Sequence, residues 1–148
     1  MKTKPTMVHE FTIPGEPIGK GRPRFTRGGG TYTPPRTRDY ESRVQACFDT
    51  EAYLHRWRMF TKGAGLTVEI TAVFEAPKSA SKAKRAQMLR GEISPCKRPD
   101  ADNIAKAICD ALNGHSYPDD AQITALTVRK AYGTENEVRV RVSDERVV

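Results

Sequence analysis

KRPDADNIAKAICDALNGHSYPDDAQI, residues 97–123, divides into an entry, a helix, a loop and the start of a strand. The residue before a proline is biased to extended backbone, so Arg98-Pro99 enters as non-helical chain. A helix is expected to begin near Asp102, with Asp100 or Asp102 as its N-cap. Ile104, Ile108, Ala111 and Leu112 recur at helical spacing and form one apolar stripe. Asn113-Gly114 supplies the stop, with Gly114 suited to a left-handed cap. Asp102 and Lys106 stand four apart, hence beside each other on a face turned from that stripe. After the loop His115 to Pro118, Asp119-Asp120 leads into a strand-like run. A helix followed by a strand lying beside it can return Asp120 to the neighbourhood of the helix start.

Asp100, Asp102, Asp119 and Asp120 therefore have a route to one place. Gathered carboxylates repel each other, and without a cation at least one would have its pKa raised. Oxygen-rich sites suit hard ions such as Mg²⁺ or Mn²⁺, which polarise a phosphate and lower the pKa of water. Lys106 would offset charge on a phosphate or a leaving oxygen. Each residue alone also has an ordinary reading: Asp102 and Lys106 as a surface pair, Asp100 as a cap, Asp119 as a turn former.

RPDADNIAKAICDALNG followed by DDAQI resembles the signature of the RusA family of Holliday-junction resolvases, D-x-D-N-x-x-K-x-x-x-D-A-L and then D-D-x-x-I/V. By position, the resemblance implies metal-binding aspartates at Asp100, Asp102 and Asp120 and a catalytic lysine at Lys106. Asp110 and Asp119 fit the pattern and receive no catalytic role. KGRPRFTR and YTP resemble the phage-type branch of the family. The resemblance further implies a homodimer and branched DNA as substrate, cut with Mg²⁺ (Mn²⁺ as a substitute).

At 148 residues the chain reads as one domain over 1–148 with a modest core. Apolar residues make up 37% and charged ones 29%, and the net charge of +7 favours a polyanionic partner. Cys47, Cys96 and Cys109 fit neither a zinc site nor a disulfide framework, which suits a reducing cytoplasm. No run approaches membrane-spanning length, and the first residues lack the apolar centre of a signal peptide. His9, His55 and His115 belong to no nucleophile motif, which argues against Ser/His/Asp chemistry.

Outward from the central stretch, two segments read as DNA-facing. Residues 17–33, PIGKGRPRFTRGGGTYT, read as a basic loop: Lys20, Arg22, Arg24 and Arg27 can meet phosphates, and Phe25 and Tyr32 can stack on bases. Residues 78–98 carry seven basic side chains, Lys97 and Arg98 among them, against the single acid Glu92, with a short helix over Ser81 to Leu89. Lys130 is a weaker phosphate candidate. Residues 1–6 read as a loose leader, and Val8 to Ile13 as a first strand. A helix follows Pro34-Pro35, capped by Thr37, carrying Tyr40, Val44, Cys47 and Phe48, and ending near His55. Trp57, Met59 and Phe60 read as packing residues. Leu66 to Phe74 alternates cleanly as a strand; Gln122 to Tyr132 and Glu137 to Ser143 are expected to pair as an antiparallel hairpin.

The expected fold is α+β: a mixed or antiparallel sheet of about four strands with two main helices on one face. The expected activity is hydrolysis of four-way DNA junctions in recombination or repair. The competing readings are a non-catalytic basic DNA-binding protein and a flap- or RNA-directed nuclease using the same carboxylates.

Overall fold

A computed structural model of the chain describes residues 7–144, so the leader expected over 1–6 lies outside the described residues. The order is β1 (Val8–Pro14), β2 (Arg24–Phe25), β3 (Thr31–Tyr32), α1 (Pro35–His55), β4 (Leu66–Glu75), α2 (Lys82–Leu89), α3 (Ala101–Leu112), a 3-10 turn (Asp120–Gln122), β5 (Ile123–Gly133) and β6 (Glu137–Ser143). The class is α+β, with a four-stranded mixed sheet in the order β1-β6-β4-β5 and three α-helices among the described residues.

β4 is the centre of the sheet because every second side chain is apolar. Leu66, Val68, Ile70, Ala72 and Phe74 are all buried. β6 runs antiparallel beside it, with Val142 opposite Val68, Val140 opposite Ile70 and Val138 opposite Ala72. β1 extends the same rows with His9, Phe11 and Ile13. Tyr40, Val44 and Phe48 of α1 and Ile104, Ile108, Ala111 and Leu112 of α3 join these residues in one core. α2 is capped by Ser81, whose hydroxyl accepts from the Lys84 N–H at 3.2 Å.

The C-terminal strands depart from expectation. β5 and β6 do not form a hairpin: β5 pairs in parallel with β4, and β6 lies on the other side of β4. The connection steps over the end of β4 instead. Ala76 N–H donates to the Gly133 carbonyl at 2.9 Å, and Glu75 N–H donates to Asn136 Oδ1 at 2.8 Å. A parallel pair needs a long crossover, which the chain from α2 through α3 supplies. β4, apolar on its inner face throughout, takes the doubly paired position, and β5 is left at the edge.

Two N-terminal expectations also change. The segment read as a loop contains a small ribbon, with β2 and β3 antiparallel, Arg24 opposite Tyr32 and Phe25 opposite Thr31. Thr37 does not cap α1, which starts at Pro35, a favoured first helical residue. Thr37 is buried in the first turn, where its hydroxyl accepts from Gly21 N–H at 3.0 Å.

Candidate active site

α3 presents two faces. Ile104, Ala105, Ala107, Ile108, Cys109, Ala111 and Leu112 are buried, whereas Asp102, Lys106 and Asp110, spaced at helical i, i+4 and i+8, are exposed. The helix starts at Ala101, and Gly114 just beyond it takes a left-handed φ of +82°. From the loop behind α3 the chain returns through the 3-10 turn into β5. That return places Asp120 on the wall of a cleft shared with Asp102, Lys106 and Asp110 and floored by Ala105, Cys109 and Leu126.

The other two aspartates sit differently. Asp119 is a turn residue: its Oδ1 accepts from Ala121 N–H at 3.0 Å. Asp100 is the N-cap of α3 by position, its carbonyl accepting from Ile104 N–H at 3.0 Å, yet its carboxylate makes no capping bond. Asp100 lines a second cleft, together with Arg22, Arg24, Arg36 and Arg98. Among the ion pairs of the described residues none joins Asp102 to Lys106, although both residues line the same cleft.

Partial burial, contact with Asp119 and the charge of Asp110 and Asp119 together raise Asp120 above the usual carboxylate range. A cation in the cleft would relieve that repulsion. Among the described residues no three His, Cys, Asp or Glu side chains converge closely enough to hold a metal ion by themselves. An all-protein cage is therefore not what this cleft offers. Mg²⁺ usually takes one or two carboxylates and completes its shell with water and phosphate oxygens. Asp102 and Asp120 are the two carboxylates, beside Asp110, that line this cleft.

The basic residues divide into engaged and available. Lys20 Nζ pairs with Glu41 of α1 and, at 3.1 Å, with Asp110 of α3. Burial alone would lower its pKa, but these two carboxylates outweigh burial and raise it. Lys97 lies over the rings of Phe74 at 5.1 Å and Tyr132 at 6.0 Å, and its carbonyl accepts from Lys130 Nζ. Arg22, Arg24, Arg27 and Arg98 are exposed. Arg36, in the first turn of α1, joins three of them in the second cleft. It was not among the sequence candidates; a cation directly after Pro34-Pro35 was the available signal.

His9 was also missed as a feature of interest. It is fully buried, and its Nε2–H donates to the Arg58 carbonyl at 2.9 Å while Nδ1 takes the Ser116 hydroxyl at 2.8 Å. Trp57 stacks on it at 4.9 Å and Phe60 lies at 4.4 Å. The Ser116–His9 pair resembles half of a hydrolase triad, but both members are sealed from solvent. It is a structural pair.

Among the described residues no helix is long and apolar enough to cross a membrane. A family model described as "Endodeoxyribonuclease RusA" matches residues 14–143. The chain is 32% identical over 140 residues to "Uncharacterized protein YqaN" of Bacillus subtilis (strain 168), covering 91% of this chain and 95% of that relative.

Proposed function

The chain belongs to the RusA endodeoxyribonuclease family, and from that membership we propose that it resolves four-way DNA junctions by Mg²⁺-dependent hydrolysis of paired phosphodiesters. The observation that carries the reading is the shared cleft of Asp102, Lys106 and Asp120, three of the four positions at which the family signature has its site residues. Asp102 and Asp120 would hold Mg²⁺, or Mn²⁺ in its place; Asp100, the third aspartate of the family signature, lines the second cleft from the N-cap of the same helix. When bound, the ion would polarise the scissile phosphate and lower the pKa of water.

The remaining work falls to the chain. Lys106 offers its ammonium to charge that builds on the leaving oxygen. The arginines of the second cleft hold the strand by its phosphates and so orient it across the carboxylates. Lys20 fixes Asp110 and Glu41 and thereby locks the N-terminal segment to both helices. A two-fold homodimer would present one site to each of two opposing junction strands, matching the approximate symmetry of the substrate.

The test is cleavage of a mobile four-way junction with and without Mg²⁺, run beside Asp102→Asn. Labelled flaps, forks, duplexes and RNA hairpins accompany it. Paired junction cuts that need the metal and vanish in Asp102→Asn support the reading. Tight binding with no product in Mg²⁺ or Mn²⁺ would instead make the chain a DNA-binding protein. Preferential cutting of flaps or RNA would reassign the same carboxylates to another substrate.

A further inference from the structure

The β2–β3 ribbon presents an aromatic side chain that nothing in the described fold covers. Phe25 is 81% exposed although it sits within a paired strand. The ribbon around it is fastened. Thr26 N–H donates to the Gly30 carbonyl at 2.7 Å, Gly29 N–H donates to the Thr26 carbonyl at 3.1 Å, and Gly30 N–H donates to Thr26 Oγ1 at 3.1 Å. Its base is fastened too. Lys20 N–H donates to the Asn103 carbonyl at 2.9 Å, and Gly21 N–H donates to Thr37. Gly19 lies so close to α3 that a Cβ there would stand 3.0 Å from Asn103 Cβ, and 2.9 Å from Cβ of Pro99 just before the helix. The ribbon is thus a short arm held against the first turn of the helix that carries Asp102 and Lys106.

Its two faces differ in chemistry. Side chains alternate across a strand, and residues directly opposite share a face. Arg24 and Tyr32 therefore share one face, and Phe25 and Thr31 the other. Arg24 lines the cleft of arginines with Arg22, Arg36 and Arg98, a surface suited to phosphates. Phe25 points from the opposite face as an apolar ring beside a polyanion-binding surface, a setting in which the natural partner is the π-face of a nucleobase. In continuous duplex those faces are covered by their neighbours. Where a branch point is held open, the terminal pairs of each arm expose them.

Resting on the junction reading above, we propose that Phe25 stacks on an exposed base at the DNA branch point, so that the ribbon distinguishes branched from continuous DNA. The face bearing Arg24 holds the backbone of one arm while the ring occupies the opening between arms. Because the base of the ribbon is bonded to α1 and α3, engagement of the branch sets where the scissile strand lies over the carboxylate cleft.

The test uses the full chain carrying Asp102→Asn, to prevent cutting, with and without Phe25→Ala or Phe25→Trp. Dissociation constants are measured for a four-way junction and for a duplex of equal length, and 2-aminopurine at the branch point reports unstacking. Phe25→Ala should weaken junction binding more than duplex binding, by roughly 5- to 150-fold, the range found for losing one stacked base. The 2-aminopurine response should vanish, and Phe25→Trp should restore both. Phe25 is exposed, so the alanine variant keeps its fold, checked by circular dichroism. Equal loss on junction and duplex, or no loss on either, overturns the proposal while leaving the nuclease reading intact. Failure of the parent protein to prefer junction over duplex removes the junction reading itself, and this proposal with it.

Discussion

Asp120 is where local chemistry and activity meet most directly. Its neighbours Asp119 and Asp110 make it a poor place for a lone anion and a good one for an anion facing a cation. Asp120→Asn keeps the shape and removes the charge. Single-turnover cleavage of a junction should fall on the order of 10²–10³-fold, the scale of losing one electrostatic contact to the transition state. Junction affinity should hold or tighten, since one negative charge facing a polyanion is gone. Undiminished cleavage would remove Asp120 from the site. Lys106→Ala should behave as the complement, cutting the rate more than the affinity; equal single-turnover rates would make it a surface lysine. His9 governs stability rather than chemistry. Burial, opposed in part by the bond to the Arg58 carbonyl and the charge of Asp144, lowers its pKa from 6.5 to about 4. The folded chain keeps the ring neutral where the unfolded chain protonates it. Its contribution is therefore complete above pH 6.5, is lost as the pH falls toward about 4, and levels off below that. The loss should be on the order of 3 kcal/mol. Urea unfolding across this range should show the slope in the parent and a flatter profile in His9→Gln.

Elements were legible in the sequence wherever periodicity was strong, and their partners were not. α3 could be read because its apolar positions, its Asp-rich start and Gly114 agree with one another. β4 could be read because its alternation runs cleanly from Leu66 to Ala72. Neither signal says what lies alongside, and the short link between β5 and β6 invited a hairpin. The crossing depends instead on a tight passage over β4. A Cβ added at Gly133 would stand 2.5 Å from Cγ1 of Val73, a buried β-branched side chain with little freedom to move. Gly133→Ala should cost about 1–3 kcal/mol and lower Tm by roughly 2–4 °C for each kcal/mol. An unchanged Tm would show that the crossing is looser than this packing implies. The same limit on sequence reading applied to the candidate site. The signature residues of α3 and Asp120 could be named, but that Asp100 lines another cleft is a matter of side-chain direction. Thr37 read as a cap because its chemistry suits one; the structure uses the same hydroxyl to hold Gly21.

For the whole molecule, a net charge of +7 says only that polyanions are welcome; how the charges are disposed says how strongly salt should matter. Lys20 is paired with Glu41 and Asp110 and so is not a free counter-charge, while Lys97 keeps its charge over the rings of Phe74 and Tyr132, outside the lining of the arginine cleft. Arg22, Arg24, Arg36 and Arg98 converge on one cleft, and Arg27 is exposed on the ribbon turn. If each of these arginines meets one phosphate of a duplex arm, the plot of log affinity against log salt should have a slope of about −4.5 per chain, at roughly −0.9 for each contact. Arg24→Gln should bring that slope up by about 0.9 and weaken binding evenly across sequences. Lys20→Gln should act on the fold instead, lowering Tm as the N-terminal segment loses its ties to α1 and α3, with the slope nearly as in the parent. Both slopes follow from fluorescence-anisotropy titrations between about 50 and 200 mM salt, the range over which counterion release changes affinity by orders of magnitude. A slope that Arg24→Gln leaves untouched and Lys20→Gln makes shallower would mean that the DNA runs beneath the ribbon against the helices, not across the arginine cleft.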